Sequence, residues 1–130
     1  MSLNKYDVLQ MTTELLEKHK GIAINKNFHN SFWKVSVEDC GINTLGYCNT
    51  ATNILVISSR LIKFGSEDII TKVIKHEVAH ALAGIEVSNT GRRIMHGKSF
   101  KRFCDILGTP GTATLKLDYV TFAKIQGMKK

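Results

Sequence analysis

The sequence predicts a small α+β domain, and three observations carry that expectation. Apolar residues recur at helical spacing near the N-terminus and again over residues 67–83. Between them, residues 32–57 form a β-rich middle broken by turn-forming residues. Helical periodicity then returns over 98–107. At 130 residues the chain fits one domain, spanning 1–130. Hydrophobic residues at 43% and charged residues at 22% exclude a disordered chain, and a single proline without internal repeats excludes collagen-like and solenoid designs.

Taken in order, the first helix is expected over Tyr6–Lys20, with Val8, Met11 and Leu15 on one face and Gly21 as its stop. A three-stranded meander follows. Its strands are Phe32–Val37, which alternates, Thr44–Asn49 after the turn at Gly41–Asn43, and the β-rich run Ile54–Ile57, which suits a central position. The second helix has the clearest limits. Ser66 is a good N-cap, Glu67 and Asp68 face the positive end of the helix dipole, and Gly84 stops a pattern that runs through Ala83. On it, Ile69, Val73, His76, His80 and Ala83 share one inward stripe. A third helix covers Lys98–Leu107, with Phe100, Phe103 and Leu107 inward and Gly108 at its end. Thr114–Thr121 reads as strand-like, and the tail 127–130 frays.

Charge is uneven along the chain. Residues 1–91 carry nine Lys/Arg and nine Asp/Glu, so the formal +7 resides entirely in residues 92–130. Arg92, Arg93, Lys98, Lys101 and Arg102 place five positive charges within eleven residues. They suggest an anionic partner, DNA or RNA first, against the plain alternative of a solvated helix face. No apolar run approaches the roughly 20 residues a membrane span needs, and the N-terminal segment lacks a signal-peptide pattern. Cys40, Cys48 and Cys104 form no C-x-x-C pair, so they read as reduced thiols packed as small hydrophobes. The expectation is a cytoplasmic protein.

The chemistry is concentrated in His76-Glu77-Val78-Ala79-His80. Histidines four apart on a helix lie one turn above each other, so both imidazoles can reach one metal ion. Glu77 is placed to take a proton from a water activated by that metal. Three ionisable groups on an aliphatic helix are costly to bury unless a divalent cation compensates. A catalytic zinc keeps three protein ligands, and the third must come from elsewhere. His96 is the stronger candidate, because Gly97 after it permits a tight turn; Glu86 is the competitor. His19 and His29 are isolated and read as surface residues.

Three segments together resemble the SprT-like metalloproteases, a family that includes bacterial SprT proteins and the eukaryotic Spartan proteases. They are Ile57–Leu61 at a strand end, the His76–His80 motif, and His96-Gly97-x-x-Phe100, with Gly46-Tyr47-Cys48 before them. The resemblance runs from about Trp33 to Phe103. It implies a zincin core of the minigluzincin type: a three-stranded sheet, an N-terminal helix, and two helices around the metal. It also implies one zinc ion held by His76, His80 and His96, with Glu77 as catalytic acid/base. No C-terminal zinc ribbon is present, which makes the chain similar to the short versions found in phage and mobile-element genomes. Since Spartan-type enzymes act on proteins crosslinked to DNA, the basic segment gains a role beside the active site.

The expected activity is therefore zinc-dependent endopeptidase cleavage of a protein or peptide, lying extended along a sheet edge beside the metal helix. Tyr119 is a candidate second electrophile. Two other classes remain open: a nucleic-acid-binding module with a closed structural metal site, Glu86 or another group filling the fourth position, and an inactive zincin-like scaffold for protein interaction.

Overall fold

The computed structural model describes residues 3–112, 123–125 and 127. Helix α1 (Lys5–His19) begins at Asn4, whose side chain accepts from the Asp7 N–H while the Asp7 carboxylate accepts from the Asn4 N–H. This reciprocal pair satisfies two otherwise free backbone donors. The helix buries Val8, Thr12 and Leu16 against the rest of the core, and a 3-10 turn at Lys20–Ile22 carries the chain off it.

Strands β1 (Lys34–Glu38), β2 (Gly46–Asn49) and β3 (Ile54–Ser58) form one sheet in the order β1-β3-β2. This corrects the expected meander. β3 pairs antiparallel with β2, Gly46 opposite Ile57, but parallel with β1, Lys34 opposite Ile54 and Glu38 opposite Ser58. The reason is burial. Leu55, Val56 and Ile57 are fully inaccessible, so the continuous apolar strand takes the centre, with cover on both faces and a partner on both edges. β2 has Tyr47 at 44% exposure and suits an edge. Phe32, expected inside the first strand, lies before it and is 99% exposed.

The Ile57–Leu61 segment does not continue as strand. Ser58 ends β3 and its hydroxyl accepts from Leu61 N–H at 3.3 Å, starting helix α2 (Ser59–Phe64). Arg60, almost fully buried, donates from Nε to Asp39 Oδ1 at 2.8 Å and from Nη2 to Oδ2 at 3.2 Å. That fork ties α2 to the segment leading into β2, and holds the Asp39 carboxyl below its usual range.

Helix α3 (Glu67–Ala83) follows, with Ser66 accepting from Ile69 N–H at 3.3 Å and Gly84 stopping it at φ 71°, ψ −159°. The single inward stripe expected for it is too narrow: every residue from His76 to Ala83 is buried. The sheet, α1 and α4 all pack on α3, so its C-terminal half has no solvent face. A short hairpin comes next, β4 (Glu86–Val87) and β5 (Arg93–Ile94), with Glu86 opposite Ile94. Helix α4 (Lys98–Leu107) buries Phe100, Phe103, Cys104 and Leu107, and ends at Gly108 in the left-handed conformation. The strand-like reading of Thr114–Thr121, Tyr119 included, and the last three residues lie outside the described residues. No helix among the described residues is long and apolar enough to cross a membrane.

Candidate metal centre

His76 and His80 project from the buried half of α3, and His96 reaches them from the loop before α4. Candidate ligand atoms of the three all lie within 4.8 Å of one another. His80 Nε2 and His96 Nε2 are 3.1 Å apart. Two nitrogens bound to one tetrahedral zinc stand about 3.3 Å apart, given Zn–N bonds near 2.0–2.1 Å. The facing pair is thus already close to the spacing of two ligands of one ion.

Phe100, one turn past His96 on α4, packs under all three imidazoles. Its ring lies 4.4 Å from that of His80, nearly parallel, and 4.9 Å from those of His76 and His96, edge-on. Sequence reasoning placed Phe100 on the inward face of α4 but missed its role as the floor of the cluster. The signal was its spacing, four residues after His96, which puts it on the turn facing the same point.

Burial keeps the imidazoles uncharged. Burial, reinforced by the neighbouring His96, drives the His76 pKa down to about 4. Burial with His76 and His96 beside it takes His80 down to about 3, and burial lowers His96 as well. All three are neutral near pH 7, the state in which imidazole is a ligand. The buried Nδ1 of His76 has no hydrogen-bond partner among the described residues, so the cluster is one polar contact short of satisfied. A divalent ion fits the donor set: it needs neutral nitrogen donors and offsets the cost of burying them.

Glu77 is 6% exposed, and burial pushes its carboxyl up to about 8. It sits beside the edge strand: a Cβ placed on Gly46 would stand 3.4 Å from Glu77 Cγ, and 2.8 Å from the carbonyl oxygen of Val56. Gly46 therefore lets β2 approach both β3 and the Glu77 side chain. Cys48 on the same strand has its thiol pushed far up by burial, with the Glu77 charge adding to it, and stays protonated.

Glu86, the competing ligand, is not in the cluster. Its Oε1 accepts from the Ser99 N–H at 2.6 Å, at the start of α4. The tight turn expected at Gly97 is also corrected: its φ of −86° is open to any residue. What demands glycine there is space, since a Cβ would lie 2.7 Å from Glu86 Oε1. Arg92 and Arg93 on the hairpin, and Lys98, Lys101 and Arg102 on α4, are all exposed. They flank His96 and form no ion pair among the described residues.

A mixed α+β fold that brings three imidazoles within ligand reach of one another could hold a metal ion. The model of the SprT-like family matches residues 12–118. The chain belongs to that family, and membership suggests a metalloprotease-type function. No curated protein and no solved structure matches it significantly.

Proposed function

We propose that the chain is a zinc-dependent endopeptidase with a zincin-type site, in which His76, His80 and His96 hold one zinc ion and Glu77 is the general base and acid. The observation that carries this reading is the three imidazoles within ligand reach of one another, two of them on the buried half of α3 that also carries Glu77. When bound, the ion supplies Lewis acidity, which makes water acidic near neutral pH and polarises a carbonyl. Glu77 accepts the proton of the attacking water and returns it to the departing amine. Phe100 fixes the imidazole planes and closes the floor to water. A substrate strand pairs with the outer edge of β2, where Gly46 keeps the backbone close to Glu77 and main-chain hydrogen bonds supply register.

The exposed basic residues around His96 support a finer reading, in which DNA phosphates held by Arg92, Arg93, Lys98, Lys101 and Arg102 bring DNA-bound proteins to the site. Glu86, one residue offered for the fourth position of a closed structural site, is engaged at Ser99 instead.

Glu77→Gln tests the proposal. The variant should fold and retain zinc, while cleavage of a casein-type substrate falls by the ~10²–10⁴ typical of losing a general base. Equal cleavage by the two proteins would assign the activity elsewhere.

A further inference from the structure

Helix α4 lacks a side-chain cap of its own. Gly97 stands at the N-cap, and its carbonyl accepts the first helical bond from Lys101 at 3.1 Å, but it has no side chain to accept from the free N–H groups of the first turn. In most helices a Ser, Thr, Asp or Asn at that position does so. Here the acceptor comes from a different element. Glu86, opening the hairpin eleven residues earlier, lays its carboxylate over Gly97 and takes the Ser99 N–H on Oε1 at 2.6 Å. The occupied space is specific to this arrangement: a Cβ on Gly97 would meet Glu86 Oε1, Cδ and Oε2 at 2.7, 2.9 and 3.0 Å. Glycine at 97 and glutamate at 86 are two halves of one contact. A carboxylate at a helix N-terminus also gains from the helix dipole.

This contact has a consequence for His96. Unlike His76 and His80, which the buried half of α3 holds, His96 lies on a half-buried loop immediately before Gly97. The loop is anchored on one side by the pairing of Ile94 with Glu86 and on the other by the Glu86 carboxylate at the start of α4. One residue thus clamps both ends of the segment Ile94–Ser99. We infer that Glu86 is a positioning residue for the third metal ligand: it caps α4 in place of the side chain Gly97 lacks, and so sets where His96 points. The inference rests on the metal-site reading above, and its test separates the two.

Zinc and cobalt(II) affinities are measured by titration of the metal-free full chain, together with the visible spectrum of the cobalt form. Outer partners of metal ligands are typically worth ~10–100-fold in affinity. Glu86→Ala should weaken binding by that factor and alter the cobalt spectrum. Glu86→Gln keeps an acceptor oxygen for Ser99 N–H and should recover most of the affinity. On a His96→Ala background, Glu86→Ala should cost nothing more. Gly97→Ala should weaken binding while Glu86 is present, and combining it with Glu86→Ala should add no further loss; this route keeps the question answerable if Glu86→Ala folds poorly. Wild-type affinity in both Glu86→Ala and Gly97→Ala overturns the inference while leaving the metal site intact. A loss in Glu86→Gln equal to that in Glu86→Ala also overturns it, because an acceptor oxygen for Ser99 N–H would then not be what positions His96. Absence of binding by the wild type removes the metal-site reading itself.

Discussion

Helix α3 and the segment from Gly84 to Gly97 meet at the same three imidazoles, yet they are held in opposite ways. α3 is packed by the sheet, α1 and α4, and its last eight residues have no solvent face. The hairpin segment has two-residue strands, Val87 at 65% exposure and Met95 at 43%. Two of the candidate ligands are therefore positioned by the hydrophobic core, and the third by a few polar contacts at the surface. Fold stability and metal affinity should respond to different residues. The segment that carries His96 is the less buried of the two.

The largest expected effect is on the metal. Replacing His76, His80 or His96 with Ala should sharply reduce zinc content, and zinc at a hundredfold excess over its Kd should stabilise only the wild type, by about 2.7 kcal/mol. Thermal melts with and without zinc read this directly. Full zinc retention in His96→Ala would break the division of labour between core and surface. Next comes Leu82→Ala, in the fully buried part of α3, which should cost ~2–5 kcal/mol in urea unfolding. Val87→Ala on the hairpin should stay within about 0.5 kcal/mol; a larger loss there would mean the hairpin belongs to the core.

A third effect is on the pH dependence of the metal-free protein. Glu77 has its folded pKa raised to about 8 from 4.5, so its contribution is fully present below pH 4.5 and is lost as pH rises toward 8. His76 and His80, lowered to about 4 and 3 from 6.5, act in the other direction: their contribution is present above pH 6.5 and lost as pH falls. Between pH 5 and 8 the Glu77 arm alone removes on the order of 2–4 kcal/mol. The histidine arms rise over the lower part of that window and oppose it, so the loss is read as the difference between metal-free wild type and Glu77→Gln. Glu77→Gln should remove that arm and leave the acidic one. Identical alkaline profiles would show that Glu77 is not desolvated in solution.

The smallest effect concerns the exposed surface around His96. DNA binding should weaken with salt at a log–log slope of about 0.9 per phosphate contact on duplex. Lys98→Ala/Lys101→Ala/Arg102→Ala should flatten the slope by about two to three units without changing zinc content. No DNA binding by the wild type at low salt would end the nucleic-acid reading and leave the protease reading untouched.

Much of this site was legible along the chain because its signals are local. The Ser66 cap, the acidic first turn, the two histidines one turn apart and the Gly84 stop all lie within a single helix, where spacing fixes geometry. His96 was legible through the glycine and phenylalanine that follow it. The sheet order was not: β1 pairs with a strand twenty residues away, Lys34 against Ile54, and only burial of Leu55–Ile57 on all sides decides which strand is central. Two-residue strands show no periodicity, so the hairpin was invisible, and the acid on it was weighed only as a competing ligand.

By itself, then, the sequence determined α3, its two histidines one turn apart and the glutamate between them, because a helix converts spacing into direction without help from the rest of the chain. The tertiary structure decided what joins them: the parallel pairing of β1 with β3, the Phe100 floor, and the carboxylate of Glu86 resting where a side chain at Gly97 would be. Those depend on distances between elements far apart in the chain, and such distances exist only once the core has closed around α3.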